Sequence, residues 1–296
     1  MSIKLYNLIT REEIFERVPA EAFMRFLYGN PAGSLALWAL FKRALFSKIC
    51  GAWASSPASR RAIAAFIEKN GIDISDVPQS SFKNFNEFFT RALKPGARAP
   101  QEPLNENAIS FPSDGRHLLV RDVRSCDVFY AKGSKFNISA FLGDKSLAET
   151  FDGADMLISR LAPVDYHRFH FPMSGEIAAR KSIAGDLYSV SPIALAGRLS
   201  ILWQNKRVLN MVQTPKFGFY AFVEIGATNV GGIVNTRRVG DFVSRGDEAG
   251  YFNFGGSCII TILPKRKIIW DRSLEKMSSS GIECYAKAGM KAGEFA

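Results

Sequence analysis

Residues 246–262 read GDEAGYFNFGGSCIITI and contain the feature on which the fold assignment turns. The β-branched run that starts at Ile259 is typical of a buried strand. Gly255, Gly256 and Ser257 stand directly before it, although two glycines carry an entropic cost that weakens a strand. The triplet indicates either a bulge or hairpin turn, or a backbone that another group must approach closely.

Similar strand-like segments recur through the C-terminal two thirds of the chain. From about Ile109 onward, short β-branched and aromatic runs alternate with glycine-containing turns. The predicted strands cover residues 118–123, 128–131, 201–203, 208–212, 220–225, 231–234 and 259–263. Their spacing predicts a β-rich domain over residues 101–296, with closely spaced turns.

The first hundred residues follow helical spacing instead. Thr10 to Glu13 has the pattern of a capping box, which predicts a short helix that ends near Pro19. Apolar residues at intervals of three and four predict further helices over residues 34–49, 57–69 and 82–91. The expected fold class is therefore α+β, with an N-terminal amphipathic helical layer (residues 1–100) packed on the β-rich domain.

The charge favours an anionic partner. Thirty-eight Lys and Arg against 28 Asp and Glu give a formal net charge of +10. The basic residues are scattered, with pairs such as Arg60-Arg61 as the longest groups, and this argues against nucleic acid. The predicted helices combine basic residues with Trp38, Trp53 and many Phe, a composition typical of a membrane interface. An amphipathic helix packed on its own domain has the same pattern.

Cysteine usage and the N-terminus indicate the compartment. The four cysteines lie far apart without C-x-x-C spacing, which favours a reduced, cytosol-facing compartment. The N-terminus lacks the layout of a signal peptide. The charge-free stretch over residues 26–41 is interrupted by glycines and is too short to cross a bilayer. We expect a protein that is neither exported nor membrane-spanning.

Two of the three histidines stand together in LAPVDYHRFHFP, residues 161–172. His167 and His170 could serve two separate proton transfers near neutral pH, or both could satisfy buried carbonyl groups. H-x-x-H with a carboxylate could also hold zinc, but no third ligand stands at a recognisable spacing. Asp114-Gly115, taken alone, is typical of a turn.

Four separated segments together resemble the phosphatidylserine decarboxylase family, in its branch with Gly-Gly-Ser at the processing site. They are FNEFFTR with LKPGAR (85–91 and 93–98), PSDG (112–115), DYHRFH (165–170) and residues 246–257. They occur in the family's order between Phe82 and Leu263, and the region before Phe82 matches only in general character. Cys258 departs from the Thr often found there and is expected to place a thiol beside the reactive centre.

The resemblance implies a proenzyme that cuts itself between Gly256 and Ser257. Asp114 would orient His170, and His170 would take the hydroxyl proton of Ser257 as it attacks the Gly256 carbonyl. The products would be a β chain of residues 1–256 and an α chain of residues 257–296. Ser257 would become a covalently bound pyruvoyl cofactor.

The resemblance also implies the reaction and its location. The pyruvoyl ketone would form a Schiff base with the serine amine of phosphatidylserine and accept electrons as CO2 leaves. His167 would return a proton before phosphatidylethanolamine is released. The lipid would lie in an anionic leaflet, with the enzyme peripheral on the cytoplasmic side of the cell membrane and docked through residues 21–67. The α and β chains would remain in one domain, and the family expectation is a homodimer.

Three other readings compete with this one. A pyruvoyl enzyme acting on a soluble amino acid would not need the amphipathic helices. A non-enzymatic membrane-binding module would remain uncut, although intact Asp114, His170, Gly256 and Ser257 argue against it. A metal-dependent hydrolase built on His167 and His170 would contain bound metal.

Overall fold

The computed structural model describes residues 3–16, 21–30, 32–33, 44–79, 81–125, 136–227, 232–255 and 257–296. The predicted strand at 128–131, most of the helix predicted at 34–49, and Gly256 lie outside these ranges. The strands are β1 (Ile3–Asn7), β2 (Glu12–Glu16), β3 (Ala108–Ser110), β4 (Gly115–Val120), β5 (Met156–Leu161), β6 (Arg168–His170), β7 (Gly175–Ile183), β8 (Arg207–Thr214), β9 (Gly218–Gly226), β10 (Ile233–Asn235), β11 (Phe242–Val243), β12 (Glu248–Phe252), β13 (Ser257–Ile262), β14 (Ile268–Trp270), β15 (Cys284–Ala286) and β16 (Lys291–Phe295).

Short helices connect and cover the strands. They are α1 (Glu21–Gly29), α2 (Ala44–Ser55), α3 (Ala62–Asn70), α4 (Phe85–Phe89), α5 (Ile138–Leu142), α6 (Lys145–Thr150), α7 (Pro192–Gly197), α8 (Ile201–Gln204) and α9 (Arg272–Ser279), with 3₁₀ turns at Pro57–Arg61 and Val123–Ser125. Among the described helices, none is both long enough and apolar enough to cross a bilayer.

Within the described residues, ten strands form one sheet in the order β11-β7-β8-β9-β13-β5-β4-β15-β1-β2. The β-branched strand β13 lies in its interior, antiparallel to both β5 and β9, and all of its residues are buried. Smaller sheets, β10-β12-β6 and β14-β16-β3, accompany it. The predicted α+β fold is confirmed.

The sequence located the helices around residues 57–91 correctly. A 3₁₀ turn leads into α3, which ends at Gly71 with φ 59°, a left-handed conformation that glycine adopts without strain. Helix α4 begins at Asn84, whose side chain accepts a hydrogen bond from the backbone N–H of Glu87. Local capping chemistry therefore sets both helix ends.

The helix predicted after Thr10 is wrong, because residues 3–16 form the hairpin β1–β2. The Asn7 side chain accepts the N–H of Ile9 at 2.8 Å and stabilises a turn between the two strands. This turn stands where the capping box was expected to start a helix. Strand β1 then pairs in parallel with β15, near the other end of the chain. Pairing with a distant strand overrides the local capping signal.

The strand predicted over residues 201–203 is also wrong, because these residues begin helix α8. The Arg207 side chain donates to Trp203 O and Asn205 O, at 2.8 and 2.9 Å, and so satisfies carbonyls at the helix end. A short apolar run is ambiguous between helix and strand, and here a side chain beyond the run decides the outcome.

The helical region has a small aromatic core of its own, separate from the main core of the sheet. We call it the aromatic cluster; its members are Ile63, Phe66, Phe82, Phe85, Phe88, Phe89 and Phe254. All but one of these come from residues 63–89. Phe254 enters from the segment that precedes Ser257, so the aromatic cluster joins the helical region to the strand β13.

Candidate active site

Ser257 is the first residue of β13. It lies opposite Leu161 of β5 and Gly226 of β9, and it is fully buried. Gly255, two residues earlier, has φ 146°, a conformation that favours glycine. The chain therefore changes from a glycine-specific conformation to a regular interior strand at the serine.

His167 is held on one face of its ring and at one nitrogen. Its ring stacks on Phe89 of α4 with centroids 3.7 Å apart. Its Nε2 lies 3.0 Å from Ala162 O, and because a carbonyl oxygen only accepts, Nε2 carries the hydrogen. The other nitrogen, Nδ1, therefore presents a lone pair.

The Nδ1 lone pair faces the serine. Ser257 Oγ lies 3.4 Å from His167 Nδ1, so its hydroxyl can donate to the imidazole. Burial, reinforced by the nearby Arg91 charge, lowers the pKa of His167 well below its ordinary value. The imidazole is therefore neutral and able to accept a proton.

The turn that carries His167 is fixed by Asp165 and Arg91. Asp165 Oδ2 accepts the backbone N–H of Ala162 at 2.6 Å and pairs with the guanidinium of Arg116. Arg91 Nη2 donates to Asp165 O at 3.3 Å. The side chain and the backbone carbonyl of Asp165 are therefore both held in place, and this fixes the turn that leads to His167.

His170, on β6, has a different environment. Its Nδ1 lies 2.9 Å from Gly246 O and so carries the hydrogen, whereas Nε2 is buried and has no hydrogen-bond partner within the described part of the chain. Burial lowers the pKa of His170, and the charges of Glu248 and Asp114 oppose that effect. His170 thus presents an unpartnered basic nitrogen.

Asp114 is engaged by groups other than His170. Arg98 Nε and Nη2 donate to its two oxygens at 2.8 and 2.7 Å, and the N–H of Ala288 donates to Oδ1 at 2.9 Å. Between described residues, no hydrogen bond joins Asp114 to His170 or His170 to Ser257. Of the four residues singled out from the sequence, Ser257 and His167 are the pair in direct contact.

Cys258 does not face the serine. Successive strand residues point to opposite faces of a sheet, so its thiol lies on the face opposite Ser257. Burial raises the pKa of Cys258 to about 12. This thiol is protonated and turned away from the site.

A polar cavity of about 330 Å³ lies beside Asp114. Its lining includes four basic and four acidic side chains, namely Arg91, Arg98, Arg116, Lys287, Asp73, Asp76, Asp114 and Asp165. The balance of charge gives the cavity no strong preference for an anion. Among the described residues, no three His, Cys, Asp or Glu side chains gather in a way that could hold a metal ion.

Sequence reasoning assigned no role to Phe89, Arg91 or Asp165, which position His167. All three lie inside the segments FNEFFTR and DYHRFH, and this position within the family motifs was the one sequence signal that could have pointed to them. The contacts themselves join residues about seventy positions apart in the chain, such as Arg91 to Asp165. Their roles follow only from the tertiary structure.

A buried serine at the head of an interior strand, with a neutral imidazole against its hydroxyl, is a candidate active site. Comparison with known proteins identifies the family. A model of the phosphatidylserine decarboxylase family matches residues 85–293.

Curated relatives cover nearly the whole chain. The phosphatidylserine decarboxylase proenzyme of Fusobacterium nucleatum is 42% identical over 280 residues, 94% of this chain and 93% of that protein. Those of Ruminiclostridium cellulolyticum and Chlamydia trachomatis are 37% and 35% identical, over 97% and 94% of this chain and 96% and 93% of those proteins. The chain belongs to the phosphatidylserine decarboxylase family and is a carboxy-lyase.

Proposed function

We propose that this protein converts phosphatidylserine to phosphatidylethanolamine and CO2, using a pyruvoyl group that it makes from its own Ser257. The observation that carries the proposal is the 3.4 Å contact between Ser257 Oγ and His167 Nδ1 beside the glycine conformation at Gly255. The relatives named as phosphatidylserine decarboxylase proenzymes support the substrate and the existence of a precursor.

Self-cleavage would begin at the hydroxyl of Ser257. Its oxygen attacks the carbonyl carbon of Gly256, the peptide C–N bond breaks, and the hydroxyl proton passes to the released nitrogen of residue 257. Elimination then frees the carboxylate of Gly256 and leaves dehydroalanine, which water converts to a pyruvoyl group and ammonia. The neighbouring glycine leaves the attacked carbonyl unhindered.

The residues around position 257 fit a pyruvoyl group. Residue 257 is held on both sides by strands and is fully buried, so bulk water is kept from a ketone formed there. The group would supply an electron sink for loss of CO2 from the serine headgroup. His167, with Nδ1 directed at residue 257, would take up a proton on that nitrogen and deliver it to the carbon that has lost the carboxylate.

We assign His170 and Asp114 to self-cleavage, as the family resemblance implies, and His167 to turnover. The unpartnered Nε2 supports a base at His170, although the imidazole in contact with Ser257 is His167. His167→Ala should therefore still cleave and lose decarboxylation, whereas His170→Ala and Asp114→Asn should remain uncut. An uncut His167→Ala precursor would transfer the processing role to the imidazole that contacts Ser257.

Intact mass under denaturing conditions tests the proposal most directly. The wild-type protein should yield a fragment of residues 257–296 with a blocked, ketone-reactive N-terminus, and Ser257→Ala should remain one chain. Phosphatidylserine vesicles and soluble serine, assayed in parallel, separate a lipid substrate from a free amino acid. A wild-type chain that stays whole after folding would contradict the proposal.

We further propose that the helices between residues 21 and 67 dock on an anionic membrane leaflet. Phe23, Phe26, Ile49 and Trp53 expose 46, 45, 61 and 49% of their surface and so offer apolar side chains to a membrane. Exposed Lys48, Arg60 and Arg61 lie in the same region. Apolar and basic side chains together favour a lipid surface.

A further inference from the structure

The segment that leads to the cleavage site is joined to helix α4 by the hydrogen bonds of one side chain, Asn86. Asn86 Oδ1 accepts the backbone N–H of Phe254 at 2.8 Å. Asn86 Nδ2 donates to Asn253 Oδ1 at 3.1 Å. The Asn86 side-chain amide therefore hydrogen-bonds both the backbone of Phe254 and the side chain of Asn253, the two residues just before Gly255.

The ring of Phe254 is held by the same helix. It lies 5.3 Å from both Phe85 and Phe89, centroid to centroid and edge to face, and 6.3 Å from Trp53. Such aromatic pairs favour a defined ring orientation. Phe254 is thus fixed at both its backbone and its side chain.

The preceding residues are also tied to the site. The N–H of Phe252 donates to His167 O at 3.0 Å, and the N–H of Asn253 donates to Gly232 O at 3.1 Å. Phe89, three residues after Asn86 in α4, stacks on His167. Helix α4 therefore positions both the imidazole and the chain upstream of Ser257.

A restraint at this point has a clear chemical use. Two consecutive glycines leave the backbone many accessible conformations. Attack of the serine oxygen requires the carbonyl carbon at about 3 to 3.5 Å in the correct orientation. Residue 254 is the last non-glycine residue before the cut, so it is where a side-chain contact can limit the motion of the glycine pair.

We propose that Asn86 is a positioning residue for self-cleavage, acting as a clamp on residues 253 and 254. The inference rests on the proposed self-cleavage at Ser257. The clamp orients the peptide in which the Oγ–C bond forms and the C–N bond breaks. Asn86 itself exchanges no proton with the reacting atoms.

The test follows cleavage of freshly translated precursor with time, by gel and intact mass. Asn86→Ala should slow conversion by at least about 10-fold, since small misplacements of reacting groups cost that much or more. Asn86→Asp should cleave at close to the wild-type rate. Its carboxylate still accepts the N–H of Phe254, and the Asn253 amide can turn to donate to it.

Asn84→Ala is the matched control. It removes the cap of the same helix, at a cost in folding stability, but leaves the clamp, so it should cleave faster than Asn86→Ala. The loss of folding stability is measured separately, as the thermal midpoints of Asn86→Ala and Asn84→Ala. Both are measured in a Ser257→Ala background, which keeps the chain uncut.

Two results would overturn the clamp. One is Asn86→Ala cleaving as fast as Asn84→Ala; the other is Asn86→Asp cleaving as slowly as Asn86→Ala. An uncut wild-type chain would overturn the self-cleavage proposal and the clamp together, and this outcome is visible in the same experiment.

Discussion

His167 shows how the surroundings of a single side chain set its charge and the position of its hydrogen. The carbonyl of Ala162 fixes the hydrogen on Nε2, and burial keeps the ring neutral. A neutral imidazole with its lone pair on Nδ1 can accept a hydrogen bond from the Ser257 hydroxyl, whereas a protonated ring cannot. The same residue exposed to solvent would be partly protonated near neutral pH.

Glu224 is a buried residue whose ionisation should limit stability at high pH. Its Oε1 accepts the amides of Asn210 and Asn235, at 2.7 and 3.2 Å, and Oε2 has no partner among the described residues. Burial raises the pKa of Glu224 to about 8. Between about pH 4.5 and 8 the unfolded chain releases a proton that the folded chain keeps, so this residue costs stability as pH rises.

Glu224→Gln should therefore stabilise the protein more at pH 8 than at pH 5. The gain should grow by about 1.4 kcal/mol per pH unit across that window, because glutamine keeps the amide acceptor and does not titrate. Urea unfolding at the two pH values measures this gain in the free energy of unfolding, in a Ser257→Ala background that keeps the chain uncut. The same change at the exposed Glu176 of β7 is the control. An equal gain at both pH values would show that Glu224 is ionised in the folded state.

At the scale of elements, the N-terminal hairpin is locked to the sheet by a buried ion network. Glu16 Oε2 accepts Arg160 Nη2 at 2.7 Å, and Glu16 Oε1 lies 2.7 Å from Arg116 Nε. Arg160 also pairs with Glu283, beyond the proposed cut, at 2.6 Å. The two arginines outweigh the effect of burial and lower the pKa of Glu16.

Glu16→Gln should destabilise the protein by about 1.5 to 3 kcal/mol, because it removes a buried carboxylate that pairs with two arginines. Arg116 and Arg160 keep Asp165 and Glu283 as partners, so neither arginine is left unpaired. Glu13→Gln on the same strand should cost less than about 1 kcal/mol, since its pair with Lys4 is exposed. Urea unfolding of both variants with Ser257→Ala provides the comparison. Equal losses would mean that the network does not hold the hairpin.

The network also predicts how the hairpin responds to acid. A carboxylate with a lowered pKa contributes stability above its unfolded pKa, and that contribution is lost as pH falls through the folded value. The difference between wild type and Glu16→Gln should therefore shrink below about pH 4.5. A difference that stays constant down to pH 3 would exclude a role for the charge.

At the scale of the whole molecule, the basic and apolar groups of the helical region define the membrane interaction that we propose. Replacing Arg60 and Arg61 by Gln should weaken binding to phosphatidylserine vesicles by roughly 10- to 30-fold, about 1 kcal/mol for each charge. The exposed pair Lys265-Arg266, changed in the same way, is the control for net charge. Equal losses in a sedimentation assay would mean that charge alone, without the helices, drives binding.

The sequence by itself determined the family, the helices α3 and α4, and the strand β13, and it supplied the candidate site residues. Each depends on residues close in the chain: caps, apolar spacing, β-branched runs and short motifs. The tertiary structure alone decided that residues 3–16 form a hairpin and that Asp114 binds Arg98. It also decided that Ser257 meets His167, 90 positions away. Strand order and burial control these contacts, and both depend on free energies summed over the whole fold rather than on any local segment.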